Sequence, residues 1–429
     1  MNTISQTPRR ISTAALVSWA LYDWANSAFA TVIQTFVFAA YFVRQVAADE
    51  VIGSTLWGNT LAAAGLVVAV GGPVLGAIGD QSGRSKLWTA AFSLLCIGAT
   101  ALLWFVKPST AYIWPALLLV GVGTIGVECA TIFYNAMLPK LVEPECLGRW
   151  SGWAWSLGYL GGLLCLVVAL LAFVQEGTSW FQLDGPSAQP VRMSFLLAAG
   201  WYLLFALPLF AITPEPASIE KPLSQAARDG LQQLWESIHH ARRYKHILHF
   251  LIARMIYIDG LATLFAFGGV YAAGTFAMTE AEVLVFGIAL NATAGLGAAA
   301  FAWVDDWIGG KRTILVSLAG LIVSATLILL VESSSLFWTF GLLLGVFVGP
   351  VQAASRSLLA RMAPEQLQNQ LFGLYALSGK ATAFAGPLLV GWVTYWAGSQ
   401  RIGMSVIIVF FCLGFVLLWR VPAAEKAPA

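Results

Sequence analysis

Charged residues are scarce in this sequence. Lys, Arg, Asp and Glu together make up 10% of the 429 residues, whereas 59% are hydrophobic. Soluble domains contain about 25% charged and about 45–50% apolar residues. So few charges cannot cover the surface of a soluble protein of this length. The composition therefore excludes a soluble globular protein and indicates an integral membrane protein.

Cysteine and histidine are scarce as well. The five cysteines show neither metal-ligand spacing nor a secreted disulfide framework, and the four histidines have no ligand-spaced partners. The sequence contains no Gly-Lys-Ser/Thr loop that would cradle a phosphate. We therefore expect no metal, no cofactor and no nucleic-acid partner, and any work on a solute must be driven by a proton, ion or solute gradient.

Long apolar segments fill most of the chain. A helix of about 20 apolar residues crosses the roughly 30 Å hydrocarbon layer of a bilayer. The sequence predicts an all-α polytopic membrane protein with twelve such spans, numbered one to twelve in chain order. Their predicted ranges are 14–43, 55–79, 86–106, 112–137, 150–174, 193–212, 247–275, 281–304, 312–331, 335–361, 370–398 and 401–420.

Basic residues are concentrated at one end of the predicted spans. By the positive-inside rule this end is cytoplasmic, and so are both termini. We call it the basic end. Its Lys and Arg residues are Arg9, Arg10, Arg84, Lys86, Lys140, Arg149, Lys221, Arg228, Arg242, Arg243, Lys245, Lys311, Arg312, Arg361, Arg420 and Lys426. The opposite end carries Arg44, Lys107, Arg192 and Arg401.

The longest polar interruption divides the spans six and six. Within it, Leu231, Leu234 and Trp235 have helical spacing and are followed by basic residues, a pattern typical of an amphipathic helix on a membrane surface. We expect an N-terminal six-helix bundle over 1–213, a cytoplasmic linker over 214–246 and a C-terminal six-helix bundle over 247–429.

The two halves carry an internal repeat. "GAIGDQSGRSK" (76–86) follows span two and "AWVDDWIGGKR" (302–312) follows span eight; both contain Asp-x-x-Gly and then basic residues. "YDWANSAFA" (22–30) in span one aligns with "YIDGLATLFA" (257–266) in span seven, which places Asp23 on Asp259. A parallel duplication of six helices is the architecture of the major facilitator transporters.

Several motifs resemble this superfamily. "GAIGDQSGRSK" is similar to the loop that major facilitators carry between helices two and three. "YDWANSAFATVI", "DGLATLFAFGGVYAAG" and residues 352–389 are similar to the branch with the fungal autophagy-related vacuolar amino-acid effluxers and many bacterial permeases. The resemblance implies two pseudo-symmetric bundles whose helices one, four, seven and ten line a central cavity. It also implies alternating access and a small polar solute, with amino acids and efflux expected first.

The loop motif implies a cytoplasmic gate that holds the two halves together in the outward-open state. Its second copy has Ala302 where a glycine would stand, so close packing is less expected there. The predicted gate residues are Gly76, Asp80, Gly83, Arg84 and Lys86 in the first copy, with Asp306, Gly309 and Lys311 in the second.

Polar residues form stripes on otherwise apolar spans. In span one, Asp23, Asn26 and Gln34 recur at helical spacing on one face. A charge at the bilayer centre costs at least about 2.5–3.5 kcal/mol, so such residues are expected to face the bundle interior. The predicted substrate or proton path consists of Asp23, Asn26, Gln34, Glu128, Asn135, Asp259, Gln352, Arg356 and Lys380.

Two interpretations of these charges stay open. In one, Arg356 or Lys380 meets an anionic group of the solute and Asp23 or Glu128 carries any proton coupling. In the other, the charges neutralise one another in buried ion pairs that only fix helix packing; this is expected most for Arg254. Span five lacks the proline of a glycine-proline motif found in some proton antiporters, so antiport is not supported.

The leading hypothesis is a secondary active transporter in a lipid bilayer, acting on a small-molecule solute as a monomer, in a prokaryotic inner membrane. A non-transporting membrane sensor or scaffold on the same fold is the alternative. An intramembrane enzyme is disfavoured because no nucleophile-plus-base constellation occurs in a polar segment.

Overall fold

The computed structural model describes residues 12–174, 187–214, 222–239 and 244–422. These residues form helices joined by short connections, with no β-strand among them. The predicted all-α class is confirmed. Six of the basic residues used for the orientation lie outside the described residues, namely Arg9, Arg10, Lys221, Arg242, Arg243 and Lys426.

Eleven helices in the described part are long and apolar enough to cross a membrane. Each overlaps a predicted span and keeps its number. Spans one to six are Thr13–Val46, Glu50–Ser82, Ser85–Phe105, Thr110–Leu141, Pro144–Phe173 and Gln189–Ile212. Spans seven to ten are Lys245–Phe276, Glu282–Ile308, Gly310–Leu330 and Ser334–Met362, and span twelve is Gln400–Arg420.

Span eleven differs from its prediction. A single helix over 370–398 is wrong, because the segment forms two helices, Gln368–Ser378 and Ala385–Ala397, joined by turns at 379–384. Pro387 contributes to the break, since its ring clashes with the carbonyl four residues earlier and it has no N–H to donate. We call 379–384 the break of span eleven. With it the described residues make twelve crossings in two bundles of six.

Span one is also irregular. Thr13–Ala28 is α-helical, whereas Phe29–Phe36 and Phe42–Val46 are π-helical. π-Helical turns are rare and occur frequently at functional sites. The 3.6-residue period that predicted the polar stripe therefore applies to the part with Asp23, and Gln34 lies in a π-helical segment.

Small residues let the spans approach closely within each bundle. A Cβ at Gly126 of span four would come within 2.9 Å of the Cys96 backbone nitrogen in span three, and a Cβ at Gly349 of span ten would overlap the Ala294 carbonyl oxygen in span eight. Small residues serve this role in membrane helices because they bring backbones together. Large apolar side chains such as Leu66 remain exposed on the outer surface, as a lipid-facing surface requires.

The predicted linker contains one helix, Leu223–His239, in its described part. This linker helix packs on span two near the basic end, where a Cβ at Gly230 would come within 2.8 Å of the Ile78 backbone nitrogen. Leu231 and Trp235 are exposed on it. The helix predicted within 214–246 is therefore present and contacts the first bundle.

Candidate functional site

Arg356 of span ten joins the two bundles through a buried ion pair. Its Nη1 lies 2.9 Å from Oδ2 of Asp23 in span one and donates to Oδ1 of Asn135 in span four at 3.2 Å. Its Nε and Nη2 donate to the side-chain and backbone oxygens of Ser151 in span five, at 2.9 and 2.7 Å. Three residues of the predicted path thus meet at one point.

Aromatic rings complete the enclosure of Arg356. Its guanidinium carbon lies 5.1 Å from the ring centroid of Trp19 and 4.9 Å from that of Trp155. The side chain is buried, at 1% relative exposure. A cation bonded and stacked on all sides in this way keeps its charge but offers no free face to a solute in this conformation.

A second ion pair joins the bundles near the middle of the membrane. Nζ of Lys380, in the break of span eleven, lies 2.7 Å from Oε1 of Glu128, near the middle of span four. Both side chains stay partly accessible, with relative exposures of 34% for Lys380 and 28% for Glu128. Irregular backbone at membrane depth is tolerated where it is buried in protein or lines a water-filled cavity. The Glu128–Lys380 pair is therefore accessible to a solute or to water, whereas Arg356 of the other pair is enclosed.

Arg254 of span seven binds the end of a helix. Its Nη1 donates to the Tyr375 carbonyl at 2.7 Å and to the Ser378 hydroxyl at 2.6 Å, and its guanidinium lies over the Tyr375 ring at 3.3 Å from the centroid. The last carbonyls of a helix lack internal partners, and a cation there also complements the helix dipole. Arg254 therefore stabilises the first half of span eleven just before its break.

Asp259 lies one and a half turns further along span seven. It is 2% exposed and lies beside Thr382 in the break of span eleven. Neither Oδ1 of Asp259 nor Oγ1 of Thr382 has a well-aligned hydrogen-bond partner. The structure thus places the aligned acids Asp23 and Asp259 in different surroundings.

The other predicted path residues are partly or wholly inside the bundle. Gln352 of span ten donates to the hydroxyl of Tyr159 in span five at 3.0 Å, across the two bundles. Gln34 donates to Thr124 in span four at 2.9 Å, within the first bundle. Asn26, three residues after Asp23 in span one, is half-buried. All nine residues belong to spans that meet at the bundle interface, and their role in transport stays a prediction.

The first copy of the gate motif contacts the opposite bundle through Asp80. Its Oδ1 accepts hydrogen bonds from the backbone and side-chain nitrogens of Asn369, at 2.9 and 2.8 Å, and its Oδ2 accepts from the Gln370 backbone at 2.9 Å. Span two touches span eleven here, since a Cβ at Gly76 would overlap the Asn369 carbonyl oxygen. The close approach expected at Gly76 is present.

The second copy repeats this arrangement. Oδ1 of Asp306 accepts from the backbone N–H of Arg149 at 3.1 Å, near the start of span five in the first bundle. The Arg149 side chain adds an ion pair with Asp306 at 3.3 Å. Each motif carboxylate therefore binds the N-terminus of a helix in the other bundle, where backbone N–H groups lack internal partners. The internal repeat is thus visible in the hydrogen bonds.

The lysines of the two gate motifs do not join the bundles. Lys86 donates to the Thr213 carbonyl at 2.7 Å and Lys311 to the Trp419 carbonyl at 2.9 Å, each within its own bundle. Each side chain is long enough to bind the nearest helix end. Arg84 is exposed.

Glycines end the helices of both gate motifs. Gly83 and Gly309 have positive φ values of 63° and 87°, which only glycine adopts without strain.

The weaker packing expected at Ala302 is not observed. It is buried against span five, where a Cβ at Gly152 would come within 2.6 Å of the Ala302 Cβ. The glycine that permits this contact is on the partner helix.

Asp305 and Asn369 also join helices, and the sequence did not predict either of them. Asp305 forms an ion pair with Arg361 at 2.6 Å and accepts a short hydrogen bond from Ser357, so it fixes span eight to span ten. Asn369 contacts Asp80 and also accepts from the Ser85 hydroxyl at 3.1 Å. The adjacent acids of "VDDW" were a signal for Asp305, but Asn369 had none, because nothing in the sequence pairs it with span two.

The cross-bundle contacts described above lie between the middle of the spans and the basic end. They join span two to span eleven, span five to span eight, and spans one, four and five to span ten. The two bundles are therefore closed against each other at the basic end. No cluster of metal-ligating side chains occurs among the described residues.

Known proteins share this sequence pattern. Residues 147–428 match the family described as vacuole effluxer Atg22 like. An uncharacterized MFS-type transporter of Bacillus subtilis, YxiO, is 27% identical over 94% of both chains. Autophagy-related protein 22-1 of Phaeosphaeria nodorum is 26% identical over 84% of this chain and 74% of its own. The resemblance expected from the motifs is confirmed.

Solved structures share the fold. The human organic anion transporter MFSD10 superposes with a TM-score of 0.69 at 17% identity, over 96% of this chain and 100% of that chain. The proton:xylose symporter XylE gives a TM-score of 0.71 at 15% identity, over 96% of each chain. These low identities support the fold alone, and that fold is the predicted major facilitator architecture.

Proposed function

Since the chain belongs to the vacuole effluxer Atg22-like family, it is a membrane transporter of the major facilitator type, and we propose that it exports a small zwitterionic solute by alternating access. Amino acids and closely related metabolites are the solute class. The proposal rests on the accessible ion pair between Glu128 and Lys380, which carries both charges that such a solute needs.

The geometry of this pair favours a zwitterion. Lys380 and Glu128 belong to opposite bundles and face each other at 2.7 Å near the middle of the membrane. A zwitterion inserted between them would place its carboxylate on Lys380 and its ammonium on Glu128, so that no charge is left without a partner at membrane depth. A solute of one net charge would leave one side chain unpaired. The enclosed Arg356 is assigned to closing the bundles instead.

The relatives support the direction and the location that we propose. The family description names a vacuole effluxer, which supports export from a compartment. A relative in Bacillus subtilis aligns over 94% of both chains, which supports the inner membrane of a prokaryote.

Counterflow in liposomes tests the proposal. Purified protein is reconstituted in liposomes loaded with a mixture of unlabelled neutral L-amino acids, and uptake of each labelled amino acid is measured. We expect exchange of at least one of them. Lys380→Met and Glu128→Gln should each reduce exchange more than tenfold, whereas Lys107→Met, an exposed lysine at the opposite end, should leave it unchanged.

The double variant Glu128→Gln/Lys380→Met separates folding from binding. It removes both charges of the pair, so neither is left unpaired, and its folded yield should match that of the wild type while exchange stays absent. Normal exchange in Lys380→Met would refute the binding role. A sensor or scaffold would bind amino acids in a thermal-shift assay without any counterflow.

A further inference from the structure

Asp259 is a membrane-embedded acid that has no ion pair in the described part of the chain. Its aligned counterpart Asp23 pairs with Arg356 at 2.9 Å, and Glu128 pairs with Lys380 at 2.7 Å. Asp259 is 2% exposed, so water does not compensate its charge either. A buried carboxylate in this position is costly when charged, and taking up a proton removes that cost.

The charged groups around Asp259 are engaged elsewhere. Arg254 on the same helix donates to the Tyr375 carbonyl and the Ser378 hydroxyl at 2.7 and 2.6 Å. Lys380 of span eleven is turned to Glu128. Span ten faces this part of span seven with Ser355, which bonds the Tyr257 hydroxyl at 2.6 Å. Span twelve packs there with Phe411. None of these contacts supplies Asp259 with a counter-ion.

The internal repeat shows why the second acid differs from the first. Arg356 precedes the end of span ten by as many residues as Asn135 precedes the end of span four. Span four therefore presents a neutral amide at the level where span ten presents a guanidinium. The duplication kept the carboxylate in both halves but a cation in only one of them.

Asp259 also contacts the irregular part of span eleven. Thr382 of the break lies beside its carboxyl group, and Oγ1 of Thr382 has no well-aligned hydrogen-bond partner. A Cβ at Gly386, at the start of the second half-helix, would come within 3.2 Å of the Asp259 carbonyl oxygen. Lys380 lies in the same break. Asp259 and the proposed solute site therefore both contact or include residues of the break of span eleven.

We propose that Asp259 is the proton-binding site of this transporter. One proton from water binds a carboxylate oxygen of Asp259, which is then neutral while it is enclosed beside Thr382. When the break of span eleven rearranges and admits water, the same proton leaves to the solvent of that side. Because Lys380 moves with this break, proton binding and solute binding bias the same conformational change. This inference rests on the proposed function for its coupling, but proton binding itself does not.

Infrared difference spectroscopy between low and high pH tests proton binding without any solute. Purified wild-type protein in lipid should show the C=O stretch of a protonated carboxylic acid in an apolar setting. Asp259→Asn should weaken this band, to which other buried acids such as Asp305 can contribute, and Glu332→Gln, which changes an exposed loop acid, should leave it unchanged. A band of unchanged intensity in Asp259→Asn would overturn the proposal.

Coupling is tested in the counterflow liposomes. A pH gradient should drive net movement of the neutral L-amino acid mixture in the wild type, and an imposed Na⁺ gradient should not. Asp259→Asn should lose at least tenfold in pH-driven net movement relative to its own exchange at equal pH, and Asp259→Glu should restore most of that ratio. Unchanged pH-driven movement in Asp259→Asn, or movement driven by Na⁺, would overturn the proposal. Absent exchange in the wild type would refute the proposed function instead, while the infrared result still decides on proton binding.

If Asp259→Asn does not fold, Thr382→Val replaces it. This variant removes the neighbouring hydroxyl at nearly constant volume and should change the position of the carboxylic-acid band, because the group beside that acid is altered. An unchanged band in Thr382→Val would place the titrating acid elsewhere and contradict the assignment.

Discussion

The Oδ2 atom of Asp80 lies 2.9 Å from the backbone nitrogen of Gln370, where span eleven begins in the opposite bundle. Its Oδ1 accepts the neighbouring N–H of Asn369 at the same distance. The first N–H groups of a helix have no internal acceptor, and a carboxylate there also complements the helix dipole. One side chain of span two therefore holds the start of a helix that belongs to the other bundle.

Removing this carboxylate should open the basic end. Hydrogen bonds to charged groups contribute about 1.5–3 kcal/mol each, so we expect Asp80→Ala to lower the ratio of closed to open molecules by about tenfold or more. Hydrogen–deuterium exchange of the helix Gln368–Ser378 measures this opening and should increase. Glu332→Gln, at an exposed loop, serves as the matched acid control. Unchanged exchange in Asp80→Ala would show that the contact does not set the conformational balance.

Two glycines of span two, Gly76 and Gly71, differ in what surrounds them, so substituting each one distinguishes an effect of close packing from an effect of backbone flexibility. A Cβ at Gly76 would overlap the Asn369 carbonyl oxygen, whereas a Cβ at Gly71 would meet no atom within 4 Å. Gly76→Ala should therefore prevent closure at the basic end and reduce counterflow by at least about tenfold, because the clash exists only in the closed state. Gly71→Ala should behave like the wild type. Equal activity of the two variants would contradict a closed basic end as part of the transport cycle.

The sequence predicted the helices and their inward-facing charges well, but not the pairing of those charges. Apolar length located the spans, and a helical stripe identified Asp23. The sequence does not predict that Asp23 forms an ion pair with Arg356 whereas Asp259 lies beside Thr382, because such contacts depend on how separate spans are oriented. They arise from tertiary packing, which periodicity along one helix does not encode.

Span eleven shows a different limit of sequence reasoning. Its residues are apolar and small around Lys380, and this composition fits a continuous membrane helix as well as a broken one. The break depends on partners that satisfy the freed backbone groups, above all Arg254, which bonds the Tyr375 carbonyl. A helix interruption in the membrane is stable only with such partners, and they lie on a helix that is distant in sequence.

The pair of Asp23 and Arg356 provides a stability prediction. Arg356→Gln leaves Asp23 buried without its cation, which should destabilise the protein by about 3–5 kcal/mol. The double variant Asp23→Asn/Arg356→Gln removes both charges and should recover most of that loss. Thermal unfolding in detergent measures both variants. If the double variant unfolds at the same temperature as Arg356→Gln, the charge pair is not the source of the instability.

Recovered stability would not imply recovered transport. Arg356 connects span ten to spans one, four and five through four hydrogen bonds, including bonds to Asn135 and Ser151. Gln at this position cannot make all of these bonds. Counterflow by the double variant should therefore stay below the wild-type level even when its unfolding temperature is restored.

The linker helix contacts both bundles at the basic end through Gln233. Its Nε2 lies 3.2 Å from Oε1 of Gln370 in span eleven, and its Oε1 accepts a short hydrogen bond from Gln81 in span two. Gln233→Ala should therefore increase exchange of the helix Gln368–Ser378, by less than Asp80→Ala because these bonds are neutral and half-exposed. Gln232→Ala is the matched control, since Gln232 bonds Glu236 within the linker helix. Equal exchange in the two variants would mean that the linker rests on the bundles without holding them closed.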